Sequence, residues 1–211
     1  MQKIWTIYSC AYQSFYEKGE NVLEELLILV NDDDNEIGYE EKMETHIQEK
    51  LHRAFSLFIY NKTNNTLLIH KRAEGKYHSG GLWTNSCCSH PRKGENLQTA
   101  VVRRVKQELG LDLFDNQLKI DANKIYECGL YELGSFKYYK KFKNCAEFEI
   151  DHVFYLPLNE EEIKLHLNKT EIAEVMWISI DKLKKWLSTS PDKFTAWFPK
   201  AFDIVLEKVF C

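Results

Sequence analysis

Nine residues in the middle of the chain, Trp83-Thr84-Asn85-Ser86-Cys87-Cys88-Ser89-His90-Pro91, set two thiols beside an imidazole, just after Gly80-Gly81. A thiolate is a nucleophile, a proton acceptor or a metal ligand, and an imidazole can be acid, base or ligand. Arg103, Arg104 and Glu108 follow, so four kinds of reactive group fall within about thirty residues. Further metal-ligating side chains lie outside this stretch: His46 and His52 before it, Glu147 and Glu149 after it. With His90 they make a mixed nitrogen and oxygen set, suited to Zn, Mn or Fe, or to Mg. A dedicated calcium or magnesium cage would use oxygen almost alone. A buried thiol is often just a small hydrophobe; Cys87 is expected in that role. Cys88, beside a metal and cations, would have its thiolate favoured.

These groups need elements to hold them. Val22 to Val30 reads as a strand running into the turn Asn31-Asp32-Asp33-Asp34-Asn35, with the chain returning through Ile37. A second hairpin is expected from His52 to His70, turning at Asn61 to Asn65, and it leads into the basic loop Lys71-Arg72-Ala73-Glu74-Gly75-Lys76. Val101, Val102, Val105 and Leu109 follow helical spacing over Leu97 to Leu109, and Gly110 is a good helix stop. Arg104 and Glu108, four apart on that helix, read as an ordinary surface ion pair. Two strands are expected between Ile125 and Lys143. In the strand that follows, Glu147 and Glu149 share one face, opposite Phe148 and Ile150. Two adjacent carboxylates repel, so that face needs water or a cation. A helix is expected over Glu160 to Leu167, a strand over Val175 to Ile178, a helix over Asp181 to Leu187, and a final helix running to Val209. Strands alternating with a few helices predict an α/β or α+β sandwich.

The whole-chain properties exclude several classes. A chain of 211 residues supports one substantial core. The formal charge of −4 lacks the basic surplus that nucleic-acid binding requires. No apolar run reaches the length of a membrane span, and no signal peptide is evident. The six cysteines form no CxxC pattern and no regular framework, which predicts free thiols in a reducing compartment, the cytoplasm, and no structural zinc knuckle. No Gly-x-Gly-x-x-Gly element is present for a dinucleotide.

Six stretches resemble, in order, the type 1 isopentenyl diphosphate isomerase family. They are Leu51-His52-Arg53-Ala54-Phe55-Ser56, Lys71-Arg72-Ala73, Trp83 through Pro91, Arg103-Arg104 with Glu108-Leu109-Gly110, Glu147-Phe148-Glu149, and Thr195-Ala196-Trp197. The resemblance spans roughly residues 40–200. It implies a Nudix-like α/β/α sandwich with a mixed sheet. Residues 1–211 would form a single domain, with 1–40 as an N-terminal extension and first hairpin and 50–190 as the Nudix-like core. It also implies transposition of a double bond, isopentenyl to dimethylallyl diphosphate, in isoprenoid biosynthesis. That reaction protonates an unactivated alkene, passes through a tertiary carbocation and removes a neighbouring proton.

By the same resemblance, Cys88 and Glu149 are the proton-transfer groups, with Glu149 protonating the alkene and Cys88 removing the C2 proton. Trp197 is the aromatic that faces the cation. A tyrosine assists Glu149; Tyr138 and Tyr139 both lie near, and Tyr139 is the preferred one. His46, His52, His90, Glu147 and Glu149 would hold one divalent ion (Mn, Zn or Mg). Glu108, with the backbone carbonyl of Cys88, would hold a second, Mg, on the diphosphate. Lys42, Arg72, Lys76 and Arg104 would grip the diphosphate. One departure is that only five residues separate His46 from His52, fewer than in some relatives. The implied partner is a small diphosphate, with no nucleic acid and no membrane, and a monomer is favoured.

The competing reading is a Nudix diphosphate hydrolase. Its box needs a Glu-rich helix to hold several Mg ions and activate water. Here Glu95, Arg103 and Glu108 fit that box, but Ser89, Arg104 and Gln107 stand where it has Gly, Glu and Glu.

Overall fold

The computed structural model describes residues 25–113, 129–159, 161 and 163–210. The expectations for residues 1–20, for the start of the first strand and for the stretch before Gly129 lie outside these.

Nine strands form one mixed sheet among the described residues. β1 (Leu26–Val30) and β2 (Glu36–Glu41) make the first hairpin across the Asn/Asp-rich turn. There Asn31 Oδ1 accepts from the backbone N–H of Asp33 and of Asn35. A short helix, α1 (Lys42–Ile47), leads through a tight turn into β3 (His52–Asn61). β3 is the spine of the sheet. One of its edges is shared in succession by β1, β6 (Cys87–Ser89) and β4 (Thr66–Arg72). Along its other edge β8 (Ala146–Leu158) runs parallel to it in a ten-residue register from His52↔Glu149 to Asn61↔Leu158. β7 (Tyr131–Lys141) pairs antiparallel with β8, while β5 (Trp83–Thr84) and β9 (Ile172–Ser179) pair with β4.

Alternation along β3 sends its side chains into two cores. Phe55, Leu57 and Ile59 pack with Val101, Val105 and Leu109 of α2 (Leu97–Leu109). Phe58, on the other face, packs with Leu183 of α3 (Ile180–Thr189) and Phe198 and Phe202 of α4 (Phe198–Val209). The result is the expected α/β/α sandwich.

The helix expected over Glu160 to Leu167 is not formed where the chain is described, from Ile163 onward. Ile163, Leu165 and Leu167 pack on the α2 core with a period of two. The backbone is tied to the end of α2, with His166 N–H donating to Leu109 O at 2.7 Å and Asn168 N–H to Glu108 O at 2.8 Å. Those bonds fix an extended segment and outweigh local helix propensity. Between Tyr131 and Lys141 there is one long strand.

Gly110 ends α2 in the left-handed conformation (φ 64°), and a Cβ there would lie 2.5 Å from His166 Cβ. Gly110→Ala should therefore destabilise the fold by about 1–3 kcal/mol, combining the left-handed penalty with the clash. A urea titration reads this directly; an unchanged midpoint would show that the 163–168 segment yields freely.

Candidate active site

The site is built on the first residues of β3 and β8. The parallel register sets His52 beside Glu149, and the period of two puts Glu147, Glu149 and Asp151 on one face of β8. That face is buried rather than solvated, with Glu147 and Glu149 each only 4% exposed. His46 arrives from α1 and His90 from the end of β6. The short His46–His52 linker closes because Glu49 takes a left-handed conformation (φ 55°) and Lys50 N–H returns to Thr45 O at 3.0 Å. It leaves the two rings 4.8 Å apart.

Four of the five expected ligands converge. Ligand atoms of His46, His52, His90 and Glu149 all lie within 4.8 Å of one another, and all four residues are buried. His46 Nδ1 donates to Lys42 O at 2.6 Å and His52 Nδ1 to Lys50 O at 2.8 Å, which turns each Nε2 inward. His52 Nε2 and His90 Nδ1 are buried without a hydrogen-bond partner. Imidazoles with inward nitrogens, beside a carboxylate, fit a divalent cation. Glu147 stands at the rim of the set, its Oε1 3.5 Å from His46 Nε2.

The electrostatics are those of crowded carboxylates out of water. Burial, and then the charge of Glu147, pushes Glu149 up to about 7. Burial opposes ionisation of Glu147 as well, but hydrogen bonds from Glu149, His46 and His78 outweigh it and hold Glu147 low. Burial depresses His52 and His90, keeping them neutral. Burial also pushes the Cys88 thiol up to about 12, although Arg72 pulls the other way. Protein cations alone therefore do not produce the expected thiolate.

The expected tyrosine is corrected. Tyr139 is half exposed and its hydroxyl donates to Glu49 on the outer face. Tyr138 is buried and lies opposite Glu149 in the β7–β8 register. Its hydroxyl is 2.6 Å from Glu149 Oε2 and 2.9 Å from Glu147 Oε2. A phenol has one proton, so it bridges the two carboxylates, donating to one at a time.

A cleft open to solvent lies over this centre. Its lining includes Cys88, Glu149, Trp197 and the four expected cations, Lys42, Arg72, Lys76 and Arg104. Trp197 is held by its indole N–H, which donates to Asn85 Oδ1 at 3.2 Å. Arg72 bridges two of these groups, with Nη1 3.9 Å from Cys88 Sγ and Cζ 5.5 Å from the Trp197 ring centroid. Arg72 Nε and Arg104 Nε are buried without partners, a local surplus of donors that suits an anion. Cys87 is wholly buried in the α2 core, as expected, and its thiol donates to Glu108 at 3.5 Å.

The Arg104–Glu108 pair is not on the surface: the side chains are 14% and 4% exposed and face the cavity. Carboxylates beside the other cations were not anticipated either. Lys76 pairs with Glu171 at 2.6 Å and Lys42 with Glu25 at 3.2 Å. Asp151 was also missed. It is buried, accepts from Ser56 Oγ at 2.8 Å and lines the cavity. Its signal was available, as the next residue on the Glu147–Glu149 face. His78 contacts Glu147 from the loop after β4, and its position beyond the basic Lys71–Lys76 run was the only hint.

Comparison with known proteins agrees with this geometry. The NUDIX domain family matches residues 50–198. Solved structures of a Deinococcus radiodurans protein (TM-score 0.58, 18% identity, 78% of this chain and 90% of that one) and of a MutT protein from Methanosarcina mazei (TM-score 0.52, 19% identity, 72% and 91%) share the fold. The isopentenyl-diphosphate Delta-isomerase 2 of Photorhabdus laumondii is 40% identical over 179 residues, 84% of this chain and 90% of its own length. The isopentenyl-diphosphate Delta-isomerase of Photobacterium profundum is 37% identical over 191 residues, 89% and 98% respectively. The chain belongs to the isopentenyl-diphosphate Delta-isomerase family of NUDIX-domain proteins. Among the described residues, no helix is long and apolar enough to cross a membrane.

Removing the Tyr138 hydroxyl leaves two buried carboxylates without their shared donor. Tyr138→Phe should cost about 1–3 kcal/mol in urea unfolding, and Tyr139→Phe less than about 0.5 kcal/mol. Equal losses would contradict the inward placement of Tyr138.

Proposed function

We propose that the chain converts isopentenyl diphosphate to dimethylallyl diphosphate. The observation that carries this reading is one cavity lined by Cys88, Glu149 and Trp197 together with four cations. The cations and the apolar face are matched to the two ends of a small prenyl diphosphate. Lys42, Arg72, Lys76 and Arg104 bind the diphosphate, and Arg72 also closes the space between it and Cys88.

Glu149 delivers the proton to the terminal alkene carbon. It is suited to this because burial and the charge of Glu147 push it above the ordinary carboxylate range, which favours holding a proton. Tyr138 holds the same carboxyl group in one orientation. The tertiary cation that results faces the indole of Trp197, whose π-face stabilises positive charge. Cys88, as its thiolate, takes the neighbouring proton from the opposite side of the substrate and becomes the thiol, and a C–H bond beside a carbocation is acidic enough for a modest base. The proton gained by Cys88 equals the proton lost by Glu149, so the reaction is redox-neutral.

His46, His52, His90 and Glu149, with Glu147, would hold one divalent ion (Mn, Zn or Mg), and Glu108 with the Cys88 carbonyl would hold a second, Mg. When bound, these ions supply positive charge that orients Glu149, neutralises phosphate oxygens and favours the Cys88 thiolate. We place the protein in the cytoplasm as a monomer; the free thiols of Cys87, Cys88 and Cys145 support a reducing compartment.

A hydrolase reading is less well supported. On α2, Arg104 and Gln107 stand where the hydrolase box has Glu, so Glu108 is the one box carboxylate that the helix keeps.

Incubation of the metal-loaded protein with isopentenyl diphosphate in D2O, followed by NMR, should yield deuterated dimethylallyl diphosphate. Cys88→Ala should lower the rate by on the order of 10²–10⁴-fold, and Cys87→Ala by far less. Release of phosphate or pyrophosphate would move the assignment to a hydrolase, and unchanged substrate would reject the isomerase.

A further inference from the structure

We infer that His78 is a positioning residue that holds Glu147 in place and ties the metal-binding set to the loop that grips the anion. The inference rests on the reading above only in taking Glu147 as part of that set.

His78 lies in the turn between β4 and β5 that also carries Lys76, next to Arg72. Its side chain is only 3% exposed and its Nε2 is in direct contact with Glu147 Oε1. The ring has little freedom. It stacks on Phe142 (centroids 4.7 Å apart, planes at 24°) and meets Tyr77 and Trp197 edge-on, at 4.4 and 6.1 Å. Nδ1 lies 3.2 Å from Ser79 Oγ. A ring packed by three aromatics presents one nitrogen in one direction, which is what a fixed donor requires.

Glu147 depends on that donor. Tyr138 reaches its Oε2 and is shared with Glu149. Among the described residues, two imidazoles meet Oε1, His46 with Nε2 at 3.5 Å and His78. His46 Nε2 is one of the nitrogens turned toward the ion site, because its Nδ1 is committed to Lys42 O. His78 is thus the group whose hold on Oε1 does not compete with metal ligation. It is set back from the set itself: its ring centroid is 6.4 Å from that of His46, against 4.8 Å for His52 and 5.3 Å for His90. Groups in this position orient a ligating carboxylate.

The loop behind His78 is tied together around Arg72. Arg72 Nη2 donates to His78 O at 3.4 Å, Arg72 N–H to Leu82 O at 2.9 Å, and Gly81 N–H to Arg72 O at 3.1 Å. Gly80 packs against the turn so closely that a Cβ would lie 2.6 Å from Glu74 O. The residue that approaches Cys88 and Trp197 is therefore also the residue that braces His78.

The test is Zn²⁺ affinity of the full chain, measured by competition with a chromophoric chelator, so that turnover plays no part. His78→Leu removes the donor, while His78→Gln keeps an N–H near the position of Nε2. The Leu variant should bind Zn²⁺ roughly 10- to 100-fold more weakly and the Gln variant within about 3-fold of wild type. Should the Leu variant fail to fold by circular dichroism, His78→Asn, whose shorter amide falls short of Glu147, takes its place. Wild-type affinity in the Leu or Asn variant, with Glu147→Gln weakened, would overturn the role of His78 and leave the metal set standing. Wild-type affinity in Glu147→Gln as well would remove Glu147 from the set, and the inference with it.

Discussion

Two carboxylates two residues apart on a buried strand face are a constraint that the surrounding structure must answer. Glu147 and Glu149 cannot both be ionised, dry and unpartnered. The parallel pairing of β3 with β8 answers part of this by seating His52 against Glu149. α1 supplies His46, β6 supplies His90, the β4–β5 turn supplies His78 and β7 supplies Tyr138. Each comes from a different element, and each is turned toward the same pair of glutamates. The sandwich can thus be seen as a device that delivers donors from five directions to one face of one strand.

How this reads from the sequence depends on whether a signal is local. The two hairpins follow from turn chemistry at Asn31–Asn35 and Asn61–Asn65, and α2 from its apolar stripe and Gly110. Those elements needed no partner to be recognised. Tyr138 against Tyr139 is different, because the choice is a question of register. β7 and β8 join across residues 142–145, and the pairing Lys141↔Ala146 puts even-numbered residues of β7 opposite odd-numbered residues of β8. Tyr138 therefore shares a face with Glu149, and Tyr139 with Phe148. Composition cannot reveal this; the exact length of the turn can. The segment ending at Leu167 failed as a helix for a related reason, since its extended form is fixed by backbone bonds to Leu109 and Glu108, distant in sequence. Burial of the Arg104–Glu108 pair was equally hidden, because the i, i+4 spacing is the same on a wet or a dry face.

The charges around the cavity explain how the same box position can serve a different end. Each of Lys42, Lys76 and Arg104 has a carboxylate partner at hand, in Glu25, Glu171 and Glu108. Such partners lower the cost of gathering cations before any ligand arrives, and they hold long side chains in defined positions. Arg72 has no ion pair among the described residues, and its Nε is buried without a partner. Its uncompensated charge sits between the thiol of Cys88 and the indole of Trp197. A hydrolase needs the opposite arrangement on α2, carboxylates held free to gather metal over the scissile bridge. With Arg104 on one of those positions and Gln107 on another, the helix offers hydrogen-bond donors where water-activating metal would otherwise be held. That arrangement suits gripping a phosphoanhydride over cleaving it, and it leaves Glu149 and Cys88, which line the same cavity, as the groups able to move protons.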